Sequence, residues 1–402
     1  MRVFLAWMVV IGLAGILPLA AQNQHGPNQN GEGSDRGTVF IPGSSVENAG
    51  EHGSISHTNH SIHYRGNPQA TTPGGFLPKQ LATAYKLTPS WPNVGLGKTI
   101  AIVDAYDYPT AKADFAVFAA AAGLPCTRAG GCLQVVYASG KQPKANCGWA
   151  QEAALDIEWA YGMAPMANIV LVEANSNSNA DLFAAVQVAT NLVVKAGGGA
   201  VSMSWGGSEA STQSQYEKYF TGSSKVIYFA SSGDTGGKTI YPGTSPNVIS
   251  AGGTSIKLNA DLTIASETGW SGSGGGSSPY FARPAYQAGI SSVVGTQRGV
   301  PDFSFVGDPY TGVSVYDSTS CQGMSGWMVF GGTSVSSPSL AGIVSAANPA
   351  ATTAAELAAI YSGFASYGNF NDILSGTAGK FTAKTGWDFV TGVGSNKGLQ
   401  GK

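Results

Sequence analysis

Covalent attack on a carbonyl needs a nucleophile, a base for its proton and donors for the charge that forms. Three places in the sequence offer such groups. The sharpest is Gly331-Gly332-Thr333-Ser334-Val335-Ser336-Ser337-Pro338, followed by the Ala-rich run Ser339–Ala347. A Gly-rich turn leading into such a run predicts Ser334 at or near a helix N-terminus. There unpaired amides and the helix dipole stabilise developing negative charge. An ordinary Ser/Thr helix cap would look the same locally. The second place is Asn146–Tyr161, which reads as a helix with Glu152 and Asp156 four residues apart on one face. Stacked carboxyl groups can share a proton, which makes one of them a tunable base. The plainer reading is a solvated acidic face. The third is Asp234 in Ser232-Gly233-Asp234, at the end of a strand. A carboxyl group there can donate to an oxyanion only while protonated; a turn Asp is the alternative.

The usual base for a serine is histidine. All five histidines lie early, at His25, His52, His57, His60 and His63. A Ser-His-Asp arrangement would have to recruit one of them from a polar leader; otherwise a lysine or a carboxylate must serve. His57, His60 and His63 could also bind a metal, although such clusters are more often polar, mobile surface.

These groups need a frame. Thr99–Asp104, Ile169–Glu173, Ala200–Ser204 and Val226–Ala230 read as near-continuous apolar strands, the pattern of strands buried on both faces. Helical stretches near 109–122, 149–161 and 180–195 alternate with them. The alternation predicts an α/β fold, a doubly wound and mainly parallel sheet with helices on both faces. In such sheets the chemistry sits at the carboxyl ends of the strands. Asp104, Ser204-Trp205-Gly206-Gly207 and Ser231–Asp234 fall there.

The chain has 402 residues with 21 basic and 23 acidic side chains. Near balance predicts no basic face for nucleic acid. Arg2, the apolar run Val3–Leu17 and the small residues to Ala21 read as a secretory signal over 1–21, too short to span a membrane at about 20 residues. This predicts a secreted, extracellular protein with no membrane contact after signal removal. Residues 22–75 are rich in Gly, Asn, Ser and His and predict a flexible polar leader. Cys126, Cys132, Cys147 and Cys321 fit two disulfides in an exported chain. Three pairings are open, of which Cys126 with Cys132 closes a short Gly-rich loop and is favoured.

In their joint order, Glu-x-x-x-Asp, Ser-Gly-Asp and Gly-Thr-Ser-x-x-x-Pro resemble the motifs of the sedolisins, the serine-carboxyl peptidases. The resemblance covers 76–402, a single catalytic domain. It extends to Val103–Asp107, Ser204–Gly207, Trp270–Gly276, Gly299–Asp302 and Gly386–Asp388. It implies a subtilisin-like fold and a secreted endopeptidase acting in acid on polypeptides; a monomer is expected. Ser334 would attack, Glu152 serve as base, Asp156 tune it and Asp234 help form the oxyanion hole. Ser204, Trp205, Gly206 and Gly207 would edge the cleft for an extended peptide. The resemblance also implies a calcium site, with carboxylates from Asp372 and Asp388 and carbonyls from Ile373, Lys384 and Gly386. Oxygen-only ligation suits a hard cation. Lys384 stands where the family usually has Gly. Sedolisins usually carry a long folded prosegment, whereas about fifty polar residues separate signal and domain here. The implied rate profile is a bell centred on roughly pH 3–5.

Two rivals compete with this reading. An inactive peptide-binding protein on the same fold has no support, because every catalytic position is filled. A glycosidase using Glu152 and Asp156 would set its carboxyl groups across a sugar, whereas one helix turn stacks them and leaves Ser334 without a role.

Overall fold

The structure, a computed structural model, describes residues 37–124, 126–128, 130–365 and 368–400. The signal at 1–21 and the first part of the leader lie outside the described residues. From Gly37 onward the chain forms one compact unit.

The centre is a ten-stranded sheet among the described residues. From one side its strands run Leu133–Tyr137, Asn168–Ala174, Thr99–Ala105, Gly199–Met203, Val226–Ser231, Ile249–Leu258 and Phe303–Val306, all parallel. Ser395–Asn396 continues the parallel set, and Phe370–Asn371 and Ile264–Gly269 add antiparallel edges. The subtilisin-like, doubly wound expectation is met. Strand order reverses at Thr99–Ala105. The chain first builds to one side of that strand and then, from Gly199, to the other. Ligands bind in the crevice at such a switch point, outside the carboxyl ends of the strands.

Alternation along the strands decides which polar groups meet. Ile100 and Ile102 face one core, while Ala101, Val103 and Ala105 face the other. The same parity sends Asp104, Ser202, Ser204 and Ser231 to the first side. Two helices pack there, Cys147–Met163 (the acid helix) and Thr333–Ala346 (the serine helix). Helix Asn179–Lys195 covers the second side. The acid helix is capped by Asn146, whose side chain accepts from the amides of Gly148 and Trp149. Gly342 lets the two helices touch, since a Cβ there would meet Met163 Cβ at 2.8 Å and Ala160 O at 3.0 Å.

Disulfides join Cys126 to Cys132 and Cys147 to Cys321. The second fastens the start of the acid helix to the strand Val313–Cys321. That strand forms an antiparallel hairpin with Met324–Gly331, which runs directly into the serine helix.

The flexible leader over 22–75 needs correction from residue 37 onward. Thr38–Phe40, His57–Thr58 and Ser61–Tyr64 are strands, and His57 to His63 is buried throughout. The folded body therefore contains histidines, contrary to the sequence reading. The physical reason is that this segment is held by backbone pairing and small polar side chains. Ser61–Tyr64 pairs with Met324–Gly331, and His57–Thr58 pairs with Trp205–Ser208. Counting apolar residues does not register such docking.

Candidate active site

Glu152, Asp156 and Asp104 are fully enclosed at the end of the central strand, beneath the acid helix. Burial raises the Asp156 carboxyl well above its usual range. The charges of Asp104 and Glu152 raise it further, and the nearby Ser204 hydroxyl opposes them. Asp104 is raised well above its range by burial, then by Glu152 and Glu173. Neither oxygen of Asp104 or Asp156 has a donor among the described residues, nor does Oε1 of Glu152. Carboxyl groups stacked this way satisfy one another only through protons they retain.

Ser334 is the second residue of the serine helix, and Gly332 before it has φ 109°. Only glycine enters this backbone region without strain. A Cβ on Gly332 would also collide with Asn59 O and Asp234 Oδ2. Pro338 lies inside the helix and has no amide to offer the Ser334 carbonyl four residues back. The Ser204 hydroxyl fills that gap, donating to Ser334 O at 3.3 Å, while Ser334 Oγ donates to Ser204 O at 3.2 Å.

Asp234 is fixed from below. Its Oδ1 accepts from the amide and the hydroxyl of Thr333, each at 2.8 Å, and Thr333 Oγ1 accepts from the Gly233 amide at 3.1 Å. Its Oδ2 is sealed and has no partner among the described residues. Burial pushes the Asp234 carboxyl up to about 8 against the Thr333 hydrogen bonds, and the Glu152 charge adds to the rise.

The segment expected to edge the cleft is the middle strand of a three-stranded sheet. Trp205–Ser208 pairs on one side with Ile240–Tyr241 and on the other with His57–Thr58. Gly206 and Gly207 are required by close neighbours: a Cβ would meet Tyr241 O at 2.8 Å and Ile55 O at 2.9 Å respectively. The Trp205 side chain leaves the cleft for the opposite core, where its indole donates to Val103 O at 2.7 Å.

Sequence reasoning missed the occupant of this cleft. Asn59 N–H donates to Ser204 O at 3.2 Å, and Ser334 N–H donates to Asn59 O at 3.0 Å. Asn59 Nδ2 donates to Ser231 Oγ at 2.8 Å. His60 follows, with Nδ1 2.7 Å from Glu152 Oε2 and its ring stacked on Phe330. A run of β-branched and small polar residues, Ser54–Ile62, was the available signal. Asp104 was placed by the sequence at the carboxyl end of its strand but was given no role in the site.

The predicted calcium ligands share one turn. Gly386 N–H donates to Asp372 Oδ2 at 2.9 Å, and Lys384 N–H donates to Asp388 Oδ2 at 3.0 Å. Gly386 has φ 86°, and Ile373 is buried beside the turn. Among the described residues, no group of three or more His, Cys, Asp and Glu side chains is placed to hold a metal. The donor set is all oxygen, two carboxylates and three carbonyls, which suits a hard cation, although Asp388 already accepts from the amides of Lys384, Val390 and Thr391.

The sequence pattern of the subtilase family matches residues 138–394. Kumamolisin of Bacillus sp. (strain MN-32) is 28% identical over 375 residues, covering 84% of this chain and 65% of that protein. Sedolisin of Pseudomonas sp. (strain 101) is 32% identical over 172 residues, covering 39% of this chain and 28% of that protein. The chain thus spans less than two thirds of the length of these curated relatives. A solved structure of Pseudomonas sedolisin, a serine-carboxyl proteinase complexed with two molecules of pseudo-iodotyrostatin, superposes with a TM-score of 0.69. It is 26% identical and covers 81% of this chain and 96% of that one.

Proposed function

This chain belongs to the subtilase family and, within it, to the sedolisins, and from that premise we propose that it is a serine-carboxyl endopeptidase acting in acid on polypeptides. The observation that carries the reading is a peptide carbonyl, Asn59 O, held by the Ser334 amide in the space it shares with the sealed Oδ2 of Asp234. Two donors aimed at a carbonyl make an oxyanion hole, provided Asp234 keeps its proton. Its raised pKa supports that.

In this mechanism Ser334 Oγ turns from Ser204 O and attacks the substrate carbonyl, and Glu152 takes its proton. Asp156 and Asp104, held protonated by burial, stand behind Glu152 and leave it to accept. The tetrahedral oxyanion is met by the Ser334 amide and the Asp234 hydroxyl. Glu152 returns the proton to the leaving amine, and water then releases the acyl group from Ser334. The backbone of Trp205–Ser208 would bind the substrate as an added strand.

Calcium, bound by Asp372 and Asp388 with the carbonyls of Ile373, Lys384 and Gly386, would cross-link two loops and take no part in the reaction. Secretion behind a 1–21 signal fits the two disulfides. No helix among the described residues is long and apolar enough to cross a membrane.

One observation favours a second reading. His60 contacts Glu152, and its Nε2 is buried without a partner among the described residues. A Ser-His-Glu relay would use that nitrogen as base. Against it, Ser334 Oγ donates to Ser204 O. The function is tested by digesting a mixed peptide library between pH 2 and 9 and reading the cut sites by mass spectrometry. Cuts in wild type that vanish in Ser334→Ala are expected. A library left whole at every pH overturns the proposal.

A further inference from the structure

We propose that the Ser204 side chain is a positioning residue for the nucleophile, its hydroxyl standing in for the backbone amide that Pro338 removes from the serine helix. The proposal rests on the peptidase reading above and adds to it a side chain that acts through Ser334.

An α-helix fixes each carbonyl with the amide four residues further on. For Ser334 that position is Pro338, which has no amide and whose ring crowds the carbonyl. Ser334 is fully buried, so bulk water does not supply the missing donor. A buried backbone acceptor left open costs free energy comparable to a lost hydrogen bond. Here that cost would fall on the residue whose hydroxyl attacks and whose amide meets the oxyanion.

Ser204 is placed to answer it. It follows the strand Gly199–Met203, and strand parity turns Ser202 and Ser204 to the face on which the serine helix packs. Both side chains are fully buried and both reach the first turn of that helix. Ser202 Oγ lies 2.8 Å from Ser337 Oγ, and Ser204 Oγ donates to Ser334 O at 3.3 Å. Two steps along the strand thus match three along the helix.

The contact is reciprocal, since Ser334 Oγ donates to Ser204 O at 3.2 Å. Its two halves fare differently in the reaction. The bond from Ser334 Oγ breaks when that oxygen turns to attack. The bond from Ser204 Oγ involves only the Ser334 carbonyl and persists. It holds the backbone of Ser334 in place while the nucleophile leaves its resting partner, and a misplacement of about 1 Å there can cost about 10²-fold in rate. A hydroxyl has one proton to give, and Asp156 is the neighbouring acid that competes for it. While Asp156 keeps its own proton, the hydroxyl is left to Ser334.

The test uses the full chain and restores the amide. Ser204→Ala, Pro338→Ala, the double variant and Ser202→Ala are compared with wild type on one external peptide from pH 2 to 9, each with its melting curve. Ser204→Ala is expected to lower kcat about tenfold or more with little change in KM, the mark of an interaction made in the transition state. Pro338→Ala alone gives the carbonyl a second donor for its second lone pair and is expected to keep kcat within about threefold. The double variant, with an amide at 338 to serve Ser334 O, is expected to recover most of the loss. Ser202→Ala removes the other link to the helix and is expected to lower Tm while kcat stays within about threefold. If Ser204→Ala does not fold, Ser204→Cys, with only a weak S–H donor, takes its place with the same expectations.

Three results overturn the proposal and leave the peptidase reading standing. Ser204→Ala could keep the wild-type kcat. Its loss could go uncorrected by Pro338→Ala, which together with a shifted acid limb of kcat/KM would give the hydroxyl to Asp156. Ser202→Ala could lose as much kcat, which would make the effect a general loosening of the helix. A wild type that cuts no peptide at any pH brings down both readings together.

Discussion

His60 Nδ1 lies 2.7 Å from Glu152 Oε2, and both side chains are sealed from solvent. With a carboxylate as the base, the contact belongs to a peptide passing through the cleft, not to the catalytic machinery. His60→Ala, incubated in acid and then assayed on an external peptide, should keep kcat within about tenfold of wild type. Glu152→Gln should lose about 10²–10⁴-fold, the usual worth of a general base. Equal losses in the two variants would favour the Ser-His-Glu relay.

Asp234 carries the second prediction. Removing one oxyanion donor costs about 10²–10³-fold in kcat, and Asp234→Ala should fall in that range. Asp234→Asn keeps a donor at every pH. It should retain more activity than the Ala variant and lose the alkaline decline that Asp234 imposes near pH 8. A decline unchanged in Asp234→Asn would assign that limb to another group.

Stability should follow the buried acids. Asp234 and Glu173 are pushed up to about 8 and Asp317 to about 7, each chiefly by burial, and burial also raises Asp104, Asp156 and Glu158 well above the usual carboxyl range. The ordinary carboxyl value is about 4. Between that value and the raised ones the native state holds more protons than the unfolded chain, so stability falls as pH rises. It is full below about pH 4 and lost through pH 7 to 8. Calorimetry at fixed scan rate should give a Tm at pH 8 lower than at pH 4.5 by roughly 5 °C or more. A Tm that rises over this interval contradicts the burial argument.

The sheet was legible because its signal is local and strong. The predicted strands at 99, 169, 200 and 226, and the helices near 149 and 180, match the observed elements to within about two residues. Ser334, Glu152, Asp156 and Asp234 stand out by motif, and the structure brings them to one switch point. The segment 37–64 was not legible. His57 to Ser61 contributes little apolar surface, and its order comes from backbone edges supplied by Trp205–Ser208 and Met324–Gly331, about 150 and 270 residues away. The meeting of Asp104 with Asp156 is likewise set by strand parity and helix packing together, which no single window contains.

Calcium is expected to stabilise the 372–388 region without touching the reaction. Any ligand that binds only the folded state raises stability by mass action, about 2.7 kcal/mol at 100 times its Kd. A chelator should lower Tm by several degrees while the initial rate at low temperature is unchanged, and Asp388→Ala should abolish the chelator's effect. An identical melting curve with and without chelator, for protein shown to be metal-free, removes calcium from the account.

The central claim is that a serine works here with carboxyl groups in place of histidine, and the pH dependence of kcat/KM tests it most directly. Initial rates on one external peptide, from pH 2 to 9, report the groups of the free enzyme. As pH rises through the raised pKa of Asp234, about 8, its neutral donor becomes an anion facing the oxyanion. At the acid end the carboxyl stack becomes fully protonated and the base is lost. The predicted profile is a bell with its maximum in acid and at least a tenfold lower value at pH 9 than at pH 5, by the worth of one oxyanion donor, about 10²–10³. A histidine base, with an ordinary pKa of about 6.5, would give a rate that climbs through that value and holds at pH 9, and that result would contradict the account.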